Sequence, residues 1–269
     1  MNESNVKRFI QLDTLVSQEC LVGADLADSV QLNPLSIVVR GVKLSLSVAS
    51  RRTLWQSVGL EHIEPELLDF IDNIPENATF FDIGASIGVF SSYAAGRGLQ
   101  VFAFEPESAN FALLNKNVYL NNRFSRSINA FNVALSNVTQ LSTMFVQNYE
   151  AGRHNKILGK PINVGEKNTF EAEFSQTCIC ETMDSFIARY NLPIPHSVKI
   201  DVDGSELAVI EGAMQSLSDE RLQKIFIELD DNYKGKIIVM DLLKSSGFKA
   251  INKFQVQNYK GLYNYVFSK

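Results

Sequence analysis

The stretch Thr79-Phe80-Phe81-Asp82-Ile83-Gly84-Ala85-Ser86-Ile87-Gly88-Val89-Phe90 most constrains what this chain can fold into. An apolar run breaks at glycine and resumes with apolar residues at helical spacing, which predicts a strand, a tight turn and a helix. Gly84 can turn at positive φ and has no Cβ to obstruct a ligand. The free N–H groups at the start of the following helix suit a polar or partly negative ligand group. Gln100-Val101-Phe102-Ala103-Phe104-Glu105-Pro106 then reads as a second buried strand ending in an acid. Two strands joined through a glycine turn and a helix, with an acid closing the second, make half of a nucleoside-binding fold.

The alternation continues down the chain. Strands are predicted at 79–83, 100–104, about 128–134, 197–202 and 224–229, with helices over 87–96, 107–120, 205–217 and 236–246. Two final strands, near 248–254 and 261–267, have no helix between them and suit an antiparallel hairpin. The pattern predicts an α/β fold: a mostly parallel seven-stranded sheet with helices on both faces. Residues 136–182 interrupt it. Leu141, Thr143 and Phe145 alternate, as do Phe170, Ala172 and Phe174, around a polar segment at 148–160. That predicts an exposed hairpin or loop excursion, the kind of element that often carries binding groups. Ahead of the alternation, Phe9, Ile10, Leu12, Leu15 and Val16 fit a short amphipathic helix. Val42, Leu44, Leu46 and Val48 fit a strand with one wet face, and Gly41 can seat a hairpin turn. Glu64-Pro65-Glu66-Leu67-Leu68 opens a helix with proline in its first turn. The expected organisation is an N-terminal helix and β-hairpin extension over 1–75 and a ligand-binding domain over 76–269.

Composition excludes several classes. A net charge of −5 in 269 residues argues against a nucleic-acid partner, which wants a basic stripe. No run reaches the length of a membrane span, and the polar start has no apolar signal region. Cys20, Cys178 and Cys180 are a poor disulfide framework and suit reduced thiols, so a cytoplasmic location is expected. His62, His154 and His196 have no metal-ligand spacing.

A dinucleotide fingerprint would need G-x-G-x-x-G, but here only Asp82, Gly84 and Gly88 punctuate the turn. An acid at the end of the first strand would repel a pyrophosphate. It could hold the ammonium of an amino-acid moiety, directly or through water, which fits S-adenosylmethionine. Glu105 offers two acceptor oxygens to the ribose hydroxyls. A second cluster, Lys199-Ile200-Asp201-Val202-Asp203-Gly204-Ser205-Glu206, again ends a buried strand in acids and a glycine. Asp201, Asp203 and Glu206, with His154 in the excursion, are candidates to take a proton from a hydroxyl nucleophile. Lys199 fits a salt bridge. If the site used a metal, Asp201 and Glu228 at neighbouring strand ends would be its ligands and Mg²⁺ the suitable cation.

These segments together resemble the FkbM family of S-adenosylmethionine-dependent methyltransferases. The resemblance rests on Phe81–Gly88, Ala103–Pro106, Leu114–Asn117 with Asn121, Asn132–Ser136, Glu181–Asp184, Lys199–Glu206 and Ile225–Glu228, and spans about residues 77–267. Ser86 and Asp203 stand where the family usually has Asn and Glu. The resemblance implies the class I methyltransferase (Rossmann-like) sheet. It also implies a cofactor site of Asp82, Gly84, Ala85, Ser86 and Gly88 at the methionine end, Glu105 and Pro106 at the ribose, and Asn132, Val133 and Ala134 at the adenine, with Asp201 nearby. The implied reaction is O-methylation of a small-molecule or glycan hydroxyl, on a sugar or secondary metabolite. The alternatives are a non-catalytic cofactor-binding module and a nicotinamide-dependent oxidoreductase.

Overall fold

A computed structural model describes residues 34–121, 128–161 and 169–269. The expected helix around Phe9–Val16, and Cys20, lie outside these residues. The first described elements are β1 (Leu35–Val39) and β2 (Val42–Leu46), an antiparallel hairpin. Its turn residues Arg40 and Gly41 have φ of 46° and 84°, the doubly positive geometry that matches strand twist in a two-residue turn. Leu44 and Leu46 on the inward face are fully buried. Three helices follow: α1 (Arg51–Val58), α2 (Leu60–Ile63) and α3 (Pro65–Asp72). The first is started by a capping box between Ser50 and Thr53, and the third carries the expected N-terminal proline.

The regular alternation is then β3 (Thr79–Ile83), α4 (Val89–Gly96), β4 (Gln100–Phe104), α5 (Ser108–Leu120) and β5 (Ile128–Phe131). The excursion supplies β6 (Ala134–Leu135), β7 (Gln140–Val146), β8 (Lys156–Leu158) and β9 (Phe174–Glu181). The chain ends through α6 (Met183–Tyr190), β10 (Ser197–Ile200), α7 (Glu206–Glu211), α8 (Met214–Ser218), β11 (Lys224–Asp230), α9 (Gly235–Ser245), β12 (Lys249–Gln255) and β13 (Leu262–Ser268).

The main sheet has seven strands in the order β12-β13-β11-β10-β3-β4-β5. β11, β10, β3, β4 and β5 run parallel, and β13 is antiparallel to both β11 and β12. This is the class I methyltransferase arrangement. β3 is buried at every position because both faces are covered. Phe80 joins the cluster with the hairpin, α3, α4 and α5, whereas Phe81 and Ile83 join the opposite cluster with α6, α7 and α9. The hairpin is fixed to α5 by side chains: Asn117 Oδ1 accepts from the Ser47 N–H at 2.7 Å, and Asn121 Oδ1 from the Ser45 N–H at 2.9 Å.

Two expectations differ from what is found. The excursion is a sheet of its own, ordered β6-β9-β7-β8, rather than a hairpin or loop. The helix expected over 205–217 breaks into α7 and α8 at Gly212, where a Cβ would lie 1.9 Å from the Ser136 carbonyl oxygen. The break lets the base of the excursion cross close to the helix. No helix among the described residues is long and apolar enough to cross a membrane.

Candidate active site

The carboxyl ends of β3, β4, β10 and β11 open into a cleft of about 1240 Å³, above the roughly 300–1,000 Å³ usual for one small ligand. It has room for a nucleoside donor and a second substrate. The turn after β3 forms its base. Gly84 and Ala85 N–H groups both donate to the Phe104 carbonyl at 3.0 Å. Gly84 has φ +77°, and a Cβ there would stand 1.8 Å from the Asp201 carbonyl oxygen. Only glycine permits the turns after β3 and β10 to come this close.

Glu105, just past β4, is 5% exposed. Its Oε2 accepts from the Ser86 N–H at 2.7 Å and its Oε1 from the Glu107 N–H at 2.9 Å. Burial pushes its carboxyl up to about 7 despite these bonds. Each oxygen keeps further lone-pair capacity, and the residue lines the cleft. Asn132 braces this loop by donating to the carbonyls of Glu105 and Pro106 at 2.9 and 3.0 Å.

Acids dominate the ends of β10 and β11. Asp201, Asp203, Glu206 and Glu228 all line the cleft, joined by Glu64 at the start of α3. Burial raises the Glu206 carboxyl to about 7 and that of Glu64 to about 8, with Asp201 adding repulsion at Glu64. Glu228 is raised by burial and then by its acidic neighbours, and Asp203 by burial and then by Asp201. One buried amine faces this group. Lys199 Nζ donates to the Gly84 carbonyl at 2.6 Å and lies 3.3 Å from Asp82 Oδ1 and 3.5 Å from Asp201 Oδ2. Burial would lower its pKa, but Asp82, Asp201 and Glu64 together hold it above the usual lysine range. So many carboxyls around one ammonium suit a ligand that carries positive charge.

The Methyltransferase FkbM domain model matches residues 82–259, more than half of the chain. The chain belongs to the FkbM methyltransferase family. It is 24% identical over 185 residues to the hexuronic acid methyltransferase AglP of Haloferax volcanii, covering 69% of this chain and 70% of that one. It is 25% identical over 211 residues to Methyltransferase 1 of Beauveria bassiana, covering 70% of this chain and 81% of that one. Among solved structures, the FkbM methyltransferase of Methylobacillus flagellatus matches with a TM-score of 0.48 at 14% identity. That match covers 81% of this chain and 56% of the other.

In this FkbM domain the anticipated cofactor residues divide into two groups. Gly84, Ala85, Ser86, Glu105, Pro106, Val133, Ala134 and Asp201 line the cleft, whereas Asp82, Gly88 and Asn132 do not. Asp82 is 1% exposed and turns into the protein. Its Oδ2 accepts from Ser91 Oγ at 2.6 Å, and Lys199 is its register partner on β10. Strand alternation is the reason: Asp82 shares its face with Phe80, toward α4. Its charge contact is to the Lys199 ammonium, 3.3 Å from Oδ1. Gly88 seats the start of α4, where a Cβ would strike Leu114.

The four candidates for proton transfer also separate. Asp203 is half-buried at φ +49°, and its Oδ2 accepts from the Lys156 N–H at 3.2 Å. Glu206 folds back on its own turn, its Oε1 accepting from the Gly204 N–H at 3.0 Å. His154 Nε2 lies 2.6 Å from an Arg52 guanidinium nitrogen. Arginine only donates, so Nε2 must accept and the ring proton sits on Nδ1. In this arrangement the ring has no free lone pair with which to take a proton. Asp201 and Glu228 do end adjacent strands, but among the described residues no group of three or more His, Cys, Asp or Glu side chains is placed to hold a metal ion. The cation at this point is the Lys199 ammonium.

Sequence reasoning missed Glu64, Arg52 and the contacts by which the excursion meets the cleft. Lys156 Nζ makes a buried 2.6 Å pair with Glu107 Oε2, and Gln176 Nε2 donates to the Pro106 carbonyl at 2.7 Å. Glu107 did have a legible signal. It caps α5, accepting from the Ala109 and Asn110 N–H groups, and it sits where a capping acid belongs. Lys156 and Gln176 had none, since nothing local marks a partner 49 or 70 residues away.

Proposed function

We propose that this chain transfers the methyl group of S-adenosylmethionine to an oxygen of a small-molecule or glycan hydroxyl, on a sugar or a secondary metabolite. The observation that carries the reading is Glu105. It is buried at the strand end beside the glycine turn, pinned by two N–H groups, and still presents acceptor capacity to the cleft. That arrangement suits a vicinal diol, and the acids beyond it suit a cationic donor. When bound, S-adenosylmethionine supplies an electrophilic methyl group on sulfur. The chain's part is to hold the donor along Gly84–Ser86 and Glu105, to align the acceptor, to exclude water and to receive the hydroxyl proton. A sugar acceptor has support from the hexuronic acid methyltransferase among the relatives.

Asp203 is the proton acceptor in this reading. It lines the cleft, and burial followed by Asp201 lifts its pKa above the ordinary carboxylate range, toward that of a useful base. Asp201 instead lies 3.5 Å from the Lys199 ammonium. Calorimetry with S-adenosylmethionine, S-adenosylhomocysteine and NAD tests the donor site: binding of NAD without the sulfur ligands would overturn it. Methyl transfer to a panel of sugars and hydroxylated metabolites, with the product located by NMR, tests the acceptor atom. Asp203→Asn should lower kcat by about a hundredfold or more while leaving donor affinity nearly unchanged.

A further inference from the structure

The cleft has two chemically opposite sides. The strand ends carry the acids described above. The facing wall is built from α1 and the β7–β8 loop of the excursion, and it carries Arg52, Arg153 and His154 with Trp55. Of these cations Arg153 is committed to Glu150 at 2.6 Å. Lys156 and Lys199, deeper in the cleft, are committed to Glu107 and to Asp82 with Asp201. Arg52 is different. It is half-buried, and among the described residues no carboxylate lies within salt-bridge distance of it.

The Arg52 side chain is nonetheless held in place. Its Nε donates to the Gly152 carbonyl at 2.9 Å, one terminal nitrogen donates to His154 Nε2 at 2.6 Å, and its guanidinium carbon lies 4.5 Å from the Trp55 ring centre. Three of its five N–H donors remain for something else. Burial lowers its pKa and Arg153 adds to this, while Tyr259 and the more distant Glu150 offset it only in part. The loop that carries His154 continues to Lys156, whose N–H binds Asp203. The same loop thus links the guanidinium's partner His154 to the part of the cleft that holds Asp203.

We propose that Arg52, fixed by Gly152, His154 and Trp55, is an anion-recognising group of the acceptor subsite, and that the methyl acceptor carries a carboxylate or phosphate. This rests on the cleft being a methyl-transfer site and names the substrate class for it. A planar guanidinium with three N–H donors left over is a group that binds either anion. The neighbouring aromatic ring suits the apolar face of a sugar. The division of charge also keeps the two substrates apart, because a cationic donor is drawn to the acids and an anionic acceptor to Arg52.

The test uses the full chain saturated with S-adenosylhomocysteine. Glucuronate, glucose 6-phosphate and glucose are titrated into it by calorimetry. At least one acid should bind roughly tenfold or more tightly than glucose, and which of the two does so distinguishes carboxylate from phosphate. Arg52→Gln should remove that preference while leaving S-adenosylhomocysteine affinity close to that of the parent. Equal binding of all three sugars, binding of neither acid, or an unchanged preference in Arg52→Gln would each overturn the proposal. The comparison of sugars on the parent chain stands even if the variant does not fold. Failure of S-adenosylhomocysteine to bind would instead strike the methyl-transfer reading.

Discussion

Gly84 and Gly41 have nearly the same φ, +77° and +84°, but opposite surroundings. A Cβ at 84 meets the Asp201 carbonyl oxygen at 1.8 Å, whereas a Cβ at 41 meets nothing within 4 Å. Gly41→Ala should therefore cost only the backbone strain, about 1 kcal/mol. Gly84→Ala should cost about 3 kcal/mol or more, because two turns must separate, and should weaken donor binding as well. Urea unfolding of the two variants compares them directly. Glu105→Gln tests a different property of the same turn. A carboxylate can accept from Ser86 and Glu107 at once, but an amide must turn an N–H₂ toward one of those N–H groups. S-adenosylmethionine affinity should fall by roughly tenfold or more, read by calorimetry. At this scale the sequence was informative where chemistry depended on position along the chain, as for Glu105 and Gly84. It left open which face Asp82 takes, because that depends on alternation counted from Phe80 and on a lysine far along the chain that only the sheet register brings beside it.

Among the elements, the excursion is the one whose place the sequence left open. Its strands pair with each other across long separations, Gln140 opposite Cys180 and Val146 opposite Phe174. The βα alternation of the main sheet was legible because each strand is buried on both faces and each helix shows its own period. α1 and α2 went unseen because they are short and present mixed faces; Leu54, Trp55 and Val58 of α1 are exposed. The excursion is fastened to the sheet by the buried Lys156–Glu107 pair, with side chains 7% and 1% exposed. Removing the amine would strand a carboxylate that also caps α5. Lys156→Met should therefore destabilise by about 3–5 kcal/mol in chemical denaturation, and adding Glu107→Gln should recover part of the loss by removing the unpaired charge.

Across the whole molecule, the surplus of acid in the cleft ties stability to pH. Glu105 and Glu206 titrate near 7 and Glu64 near 8 when folded, against an ordinary value of 4.5. Between those values the folded chain holds protons that the unfolded chain has released. Stability without ligand should therefore fall as pH rises from about 4.5 to about 8, as Tm in a pH series would show. A cationic ligand favours the ionised carboxyls. S-adenosylmethionine should bind more tightly as pH rises through the same window, with release of protons, and S-adenosylhomocysteine should show less of both because its sulfur is uncharged. Calorimetry in buffers of different ionisation enthalpy counts those protons.

The peptide at Gly152 is held on both sides. Its carbonyl accepts from Arg52 and from Gln56 at 3.2 Å, and its N–H donates to Asn110 at 2.7 Å. One residue thus joins α1, the excursion and α5 into a continuous rim. At about 1 kcal/mol net for each bond, these three together contribute about 3 kcal/mol to holding that rim closed. Breaking these bonds would free α1 from the rim, while the Lys156–Glu107 pair still holds the excursion to α5 and the sheet and glycine turn beneath stay assembled.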